Sequence, residues 1–353
     1  MAFHLVGRLT VPRSDSLIIP LSSFLIGMGL IMLYRLKPSL LLPQLTWIAI
    51  AVFLSSFLLV VLKNYWELEG YKYTFALLGF ILLLSPALFG HEISGAKLWL
   101  KFGNFSFQPA EIAKILIVIF LAAYLKEKGE LLSSPKEFLG FPFPSLKYLG
   151  PLLVTWGISL LILVFEKDLG TSFLFFGIFL SLLYASTGRV AYIGTGGFLF
   201  LTGVFTCYRI YPHVENRVAI WLNPWNDIDG RGYQIVQSLF AIASGKLAGS
   251  GLNLGFPNYI PAAHTDFVFS GIAEELGLLG GTAILLAYII LISRVFKVAL
   301  KTRDSFGKLL ALGLGIVFAL QTIIIVGGVT RLLPLTGITL PLISYGGSSM
   351  VSS

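Results

Sequence analysis

Leu309-Leu-Ala-Leu-Gly-Leu-Gly-Ile-Val-Phe-Ala-Leu-Gln-Thr-Ile-Ile-Ile-Val-Gly-Gly-Val329 runs for six helical turns without a charge. About 20 consecutive apolar residues let an α-helix cross the ~30 Å hydrocarbon layer of a bilayer. Working outward from it, similar runs stand near Leu17–Leu33, Thr46–Leu62, Tyr73–Phe89, Ala110–Leu125, Leu149–Phe165, Leu169–Thr187, Ala191–Tyr208 and Phe267–Ser293. A tenth begins around Leu340, and Ser353 is reached before it crosses, as in a truncated span. The 353 residues are 56% hydrophobic and 12% charged, with mean hydropathy +0.87. That is about half the ~25% charge of a soluble domain, too little polar surface for a water-soluble fold. The expectation is an all-α integral membrane protein: one polytopic bundle over residues 1–353, of about nine to ten transmembrane helices, with one large extracytoplasmic loop at 211–265 that holds an amphipathic stretch, Tyr233–Ser244. Arg8 and Arg13 precede the first run, but no small-residue cleavage site follows, so an uncleaved first helix is expected rather than a signal peptide.

The net charge of +8 is dispersed between apolar runs and forms no basic stripe interleaved with aromatics, which argues against nucleic acid. Loop topology accounts for it better. With the N-terminus inside, fourteen of the 25 basic residues, from Arg8 and Arg13 to the Arg294–Lys308 group, fall on the inner side. Of the others, Arg209, Arg217, Arg231 and Lys246 belong to or border the long loop, which the positive-inside rule discounts. The loop is then extracytoplasmic. Cys207 is the single cysteine, so no intrachain disulfide forms and metal-cluster spacings are absent.

The densest polar cluster is Pro261-Ala-Ala-His264-Thr265-Asp266-Phe267, leading into the run that carries Glu274 and Glu275. Carboxylates so near a span are costly unless hydrated, paired or functional. Asp266 reads either as a helix-start carboxylate favoured by the macrodipole or as a general base at headgroup depth; His264 and Thr265 add a second polar layer that capping does not require. On a continuous helix Glu274 would lie about 12 Å away, too far for a carboxylate dyad, so a one-base displacement is favoured and Glu274 and Glu275 read as structural.

Glu111 and Lys114, in Phe107-Gln-Pro-Ala-Glu-Ile-Ala-Lys114, stand three apart on one helix face. They form an intrahelical pair or face a hydrated cavity where Lys114 holds a diphosphate. Glu166-Lys-Asp168-Leu-Gly-Thr-Ser172 is either a hydrated hairpin or a second carboxylate for the outer vestibule. Arg217 and Arg331 are solvated loop charges or two-donor phosphate ligands. Gly249-Ser-Gly-Leu-Asn-Leu-Gly255 has no strand–helix frame and no P-loop occurs, so ATP is not expected.

Five ordered motifs, at residues 95–100 with 107–114, 166–172, 232–245, 260–269 with 273–280, and 334–349, make the chain resemble the shape, elongation, division and sporulation family, the RodA/FtsW group of bacterial peptidoglycan polymerases. The likeness covers nearly the whole chain. It implies a ten-helix bundle in the cytoplasmic (inner) membrane with its active site on the extracytoplasmic side, working with a class B penicillin-binding protein. Asp266 is then the catalytic acid–base residue, and Glu111, Lys114 and Asp168 carry functional roles. Many relatives have arginine before the tryptophan of the first motif, where this chain has Leu98, preceded by Lys97; many have a second glycine where it has Lys246.

The reaction so implied is an inverting transfer. The 4-hydroxyl of one lipid II, an undecaprenyl-diphosphate-linked disaccharide pentapeptide, attacks the anomeric carbon of a growing strand, and undecaprenyl diphosphate leaves. Asp266 takes the proton, flanked by His264 and Thr265; Lys114 and Arg217, with Lys97 or a divalent cation as further candidates, offset charge on the leaving group. The sequence requires no cofactor and leaves a metal requirement open. A lipid II flippase and a noncatalytic scaffold for the penicillin-binding protein are the alternatives.

Overall fold

A computed structural model of the protein describes residues 15–353 except 63, 94–95, 104, 134–135, 139–140, 144–145 and 166–167. Arg8, Arg13, Lys63, Gly95, Glu166 and Lys167 therefore lie outside the described residues. Among the described residues, nine long helices stand near the nine expected positions: α1 (Ile18–Leu36), α2 (Leu41–Val61), α3 (Lys72–Phe89), α4 (Pro109–Ser133), α5 (Leu146–Phe165), α6 (Leu169–Thr187), α7 (Val190–Ile210), α10 (Val268–Lys301) and α11 (Ser305–Val329). Among the described residues, seven helices are long and apolar enough to cross a membrane. α4 falls short of that measure through the charges at both its ends. The chain is a multi-pass membrane protein. The long loop folds into two helices, α8 (Pro212–Leu222) and α9 (Tyr233–Ser244), the second with the bounds read from its amphipathic pattern.

Small antiparallel sheets fill two connections. β1 (His91–Ile93), β2 (Ala96–Phe102) and β3 (Phe105–Phe107) join α3 to α4; β4 (Lys136–Phe138) and β5 (Phe141–Phe143) join α4 to α5. Two compact units contain these elements: residues 15–62, 207–294 and 321–353 form the first, and residues 63–206 and 295–320 the second. Lipid-tail solvent gives apolar helices no hydrophobic reason to associate, so close packing does that work. In the second unit α4 supplies the core through Val118, Phe120, Ala122 and Ala123, each at most 1% exposed. α2 and α7 bury almost nothing but Gln44, Tyr192 and Gly196, as lipid-facing helices do.

Two expected elements differ. The span at Phe267–Ser293 is not one straight helix, because Gly277 adopts φ 67° and ψ −167°, a conformation open to glycine alone. Residues 268–276 and 278–301 fold back on each other there. A methyl group at Gly281 would meet Phe269 Cζ at 3.5 Å and Ala273 Cβ at 3.9 Å, whereas a straight helix would separate those positions by about 18 and 12 Å. Loop residues 246–251 run alongside and satisfy the freed backbone: Leu278 N donates to Lys246 O at 2.9 Å, Leu279 N to Leu247 O at 3.1 Å, Ser250 N to Glu274 O at 2.9 Å and Gly251 N to Glu275 O at 3.0 Å. A break at membrane depth survives only with such replacement partners.

The expected span from Leu340 is also corrected. Gly337 and Leu342 have φ of 76° and 66°, Pro341 lacks a donor, and the backbone turns until α12 (Gly347–Ser352) begins. α12 packs on α2, and a methyl group at Gly347 would stand 2.1 Å from the Trp47 ring.

Candidate functional site

Asp266 closes a turn stabilised by Thr265 N to Ala262 O at 3.0 Å and by the Thr265 hydroxyl to the same oxygen at 3.1 Å. Ala262 takes the left-handed conformation that this turn needs, at φ 57°. Asp266 keeps partial access to the surface, yet protein surrounds its carboxylate. Desolvation dominates and pushes its pKa up to about 6, opposed by the Thr265 side chain and the positive charge of Arg217. His264 is half-buried, its ring centroid 6.0 Å from that of Tyr345. Burial, then the charge of Lys37, holds its pKa below the usual imidazole value.

The segment 334–346 wraps this turn; it lies within the sequence motif at 334–349, and the span expected from Leu340 overlaps only its second half. Arg217 on α8 donates to the carbonyls of Leu335 and Thr336, both at 3.1 Å. A methyl group at Gly337 would lie 3.7 Å from Asp266 Oδ2. Ser344 Oγ accepts from Leu340 N at 3.0 Å and donates to Thr265 O at 2.5 Å. Tyr345 N donates to His264 O at 2.9 Å. The Pro/Gly spacing of the segment was the one signal that it is a loop.

Glu274 and Glu275 pair as the structural reading expects. Glu274 Oε1 accepts from Phe256 N at 2.7 Å. Glu275, 1% exposed, accepts from Arg35 Nε at 3.0 Å, while Arg35 Nη2 reaches Gly255 O at 3.0 Å. Arg35 stands in the last turn of α1, so the Gly277 fold is level with the end of that helix. Ile343, next to Ser344, packs on Gly29, six residues or about 9 Å along α1 from Arg35, and Asp266 stands in the turn just ahead of the first half of α10. Arg331 proves structural: its guanidinium closes α8 through Trp221 O at 2.9 Å and Leu222 O at 2.7 Å.

The structure brings His264, Thr265, Asp266 and Arg217 together in the first unit; Lys97, Glu111, Lys114 and Asp168 belong to the second. There, Glu111 Oε2 and Lys114 Nζ form an ion pair at 2.5 Å across the first two turns of α4, with 7% and 3% exposure. Asp168, also buried, is the N-cap of α6, accepting from Thr171 N at 3.0 Å. Lys97 is exposed on β2. Among the described residues no cluster of three or more His, Cys, Asp or Glu could hold a metal ion.

The family model of the FtsW, RodA and SpoVE cell cycle proteins matches residues 16–353. The peptidoglycan glycosyltransferase RodA of Mycobacterium tuberculosis is 45% identical over 99% of this chain and 78% of its own length. Stage V sporulation protein E of Bacillus subtilis is 34% identical over 95% of this chain and 93% of its own. Among solved structures, a chain from a peptidoglycan synthase complex that coordinates polymerization and crosslinking superposes with TM-score 0.80 at 27% identity, covering 96% of this chain and 94% of that one. The rod shape determining protein RodA of Thermus thermophilus shares the fold with TM-score 0.67 at 24% identity, over 96% and 93%.

Proposed function

Because the chain belongs to the FtsW, RodA and SpoVE family of cell cycle proteins, we propose that it is a peptidoglycan glycosyltransferase that polymerises lipid II, with Asp266 as general base. The observation that carries this reading is a partly accessible carboxylate, pushed up to about 6 by desolvation, in a turn that the 334–346 segment wraps and that leads into a span. A carboxylate raised to that range is ionised at neutral pH yet basic enough to take a proton from a sugar hydroxyl, and its place beside a span suits a sugar tethered to a membrane lipid.

In the proposed step the acceptor 4-hydroxyl attacks the anomeric carbon at the end of the growing strand. Its proton goes to Asp266, and the anomeric C–O bond breaks so that undecaprenyl diphosphate departs with the bond electrons. Glu274 and Glu275, the carboxylates of α10, are engaged with Phe256 N and Arg35, which favours a single displacement with inversion. Arg217 sets the charge around Asp266; family resemblance carries functional roles to Glu111, Lys114 and Asp168, with Lys114 offsetting charge on the departing diphosphate and Lys97 a further candidate for that role. His264 and Thr265 shape the acceptor side. A divalent cation can share the leaving-group charge.

The proposed setting is the bacterial cytoplasmic membrane, with Asp266 facing outward and a class B penicillin-binding protein cross-linking the product; the solved peptidoglycan synthase complex supports that pairing. Purified protein given fluorescent lipid II should form glycan strands, and Asp266→Asn, which keeps shape but removes the base, should lose at least about 10²-fold in rate. Normal polymerisation by that variant defeats the assignment. Movement of lipid II across vesicles without chain growth would favour a flippase, and wall synthesis by an Asp266→Asn strain a scaffold.

A further inference from the structure

Asp266 precedes α10 and has no helix of its own to fix it; what fixes it comes from a segment about 80 residues later in sequence. Ser344 is the joint. Its hydroxyl, 3% exposed as a residue, both accepts from Leu340 N and donates to Thr265 O, the carbonyl of the peptide bond that leads into Asp266. Tyr345 N anchors the preceding carbonyl, His264 O, and Gly337 rests beside Oδ2 of the carboxylate. Arg217 fixes the start of the same segment through Leu335 and Thr336.

We propose that Ser344 is a positioning residue for the reaction: by closing the 337–345 segment onto the Thr265–Asp266 peptide, its hydroxyl sets the distance of the Asp266 carboxylate from the acceptor hydroxyl. The inference rests on Asp266 being the base. Proton transfer needs heavy-atom separations of about 2.6–3.2 Å, and a displacement of 1 Å can cost about 10²-fold in rate. Removing the hydroxyl frees Thr265 O and Leu340 N together, so the segment loosens where it covers the carboxylate and water gains entry. The carboxylate is then misplaced and better solvated, and its pKa moves back toward the ordinary aspartate range.

The test uses the full chain in detergent with lipid II and compares Ser344→Ala, Ser344→Cys, Ser344→Thr and Asp266→Asn with a control, Ser159→Ala. Ser159 is a 1% exposed serine whose hydroxyl donates to Thr155 O at 2.8 Å within α5. Ser344→Ala should lower kcat by about 10- to 100-fold, leave KM for lipid II within about twofold and move the acidic limb of the pH profile to lower pH. Ser159→Ala should do none of these at a comparable loss of melting temperature. Ser344→Thr, which keeps the hydroxyl, should recover most of kcat, and Ser344→Cys, a weak donor, little of it. The proposal is overturned if Ser344→Ala stays within twofold of the parent kcat, if its pH profile does not move, or if its loss matches that of the control. Should Asp266→Asn polymerise normally, the base assignment fails first; an inactive Asp266→Asn beside a fully active Ser344→Ala sinks the positioning role alone.

Discussion

At the scale of single residues the chemistry turns on how far burial moves one carboxylate. Asp266 accepts a proton only when ionised, and its pKa is pushed up to about 6. The rate at subsaturating lipid II should therefore fall about tenfold per pH unit below that value and be level above it; a profile with its acidic midpoint near 4 would contradict the desolvated site. The same shift has a stability sign. Native protein holds this proton more tightly than the unfolded chain, so the charged carboxylate is a burden above pH 6 that is relieved as pH falls toward 4. Asp266→Asn should melt about 2–4 °C higher than the parent at pH 7.5, with the gap narrowing at pH 5. Lys246 offers a second residue-scale check: at φ 47° a side chain costs about 1–2 kcal/mol that glycine avoids. Lys246→Gly should raise stability by about 1 kcal/mol in urea denaturation, after the entropy cost of the added glycine is subtracted.

At the scale of elements, the fold of α10 at Gly277 sets the level of the site, and its partners are few enough to test singly. A methyl group at Gly277 would stand 2.2 Å from Gly249 N, and φ 67° already excludes it, so Gly277→Ala should abolish folded protein in fluorescence-detected size exclusion. Arg35 is a milder probe. Cutting it to alanine strands the carboxylate of Glu275 with its charge uncompensated, a loss of about 3–5 kcal/mol for a buried pair. Amide exchange should then rise in residues 246–256, whose backbone is tied to that corner through Gly255 and the 246–251 hydrogen bonds. Unchanged exchange there would mean that the loop holds itself. Hydropathy reads this span as continuous because apolar residues dominate on both sides of Glu274, Glu275 and Gly277; it registers composition and is blind to a φ of the opposite sign.

At the scale of the molecule, orientation is the decisive property, since lipid II polymerised outside requires Asp266 to face outward. Leu254 is 69% exposed in the loop that meets the Gly277 fold, and a cysteine placed there, with Cys207 changed to alanine, should react with a membrane-impermeant maleimide in intact cells; labelling only after lysis would reverse the topology. How much of this was legible beforehand follows from the physics involved. Among the described residues nine helices could be located, most ends to within a few residues but those at Ser133 and Lys301 eight residues short, because a bilayer demands about 20 apolar residues in a row, a local property written in composition that charged helix ends escape. The α9 boundaries were legible for a similar reason, an apolar face at helical spacing. Asp266, Glu111 and Lys114 stood out because a charge beside a span is conspicuous. What a chain of letters could not show is partnership at long range: Arg35 with Glu275, Ser344 with Thr265, Arg217 with the carbonyls of Leu335 and Thr336. Those contacts join residues 79 to 240 positions apart, and no local propensity encodes them. Composition and spacing determined that this is a polytopic helical membrane protein with a carboxylate poised at one end of a span. Only the tertiary structure decided that the span doubles back, that the 334–346 segment wraps the turn of the carboxylate, and that a distant serine holds it, because each depends on which backbone groups meet once the chain has closed.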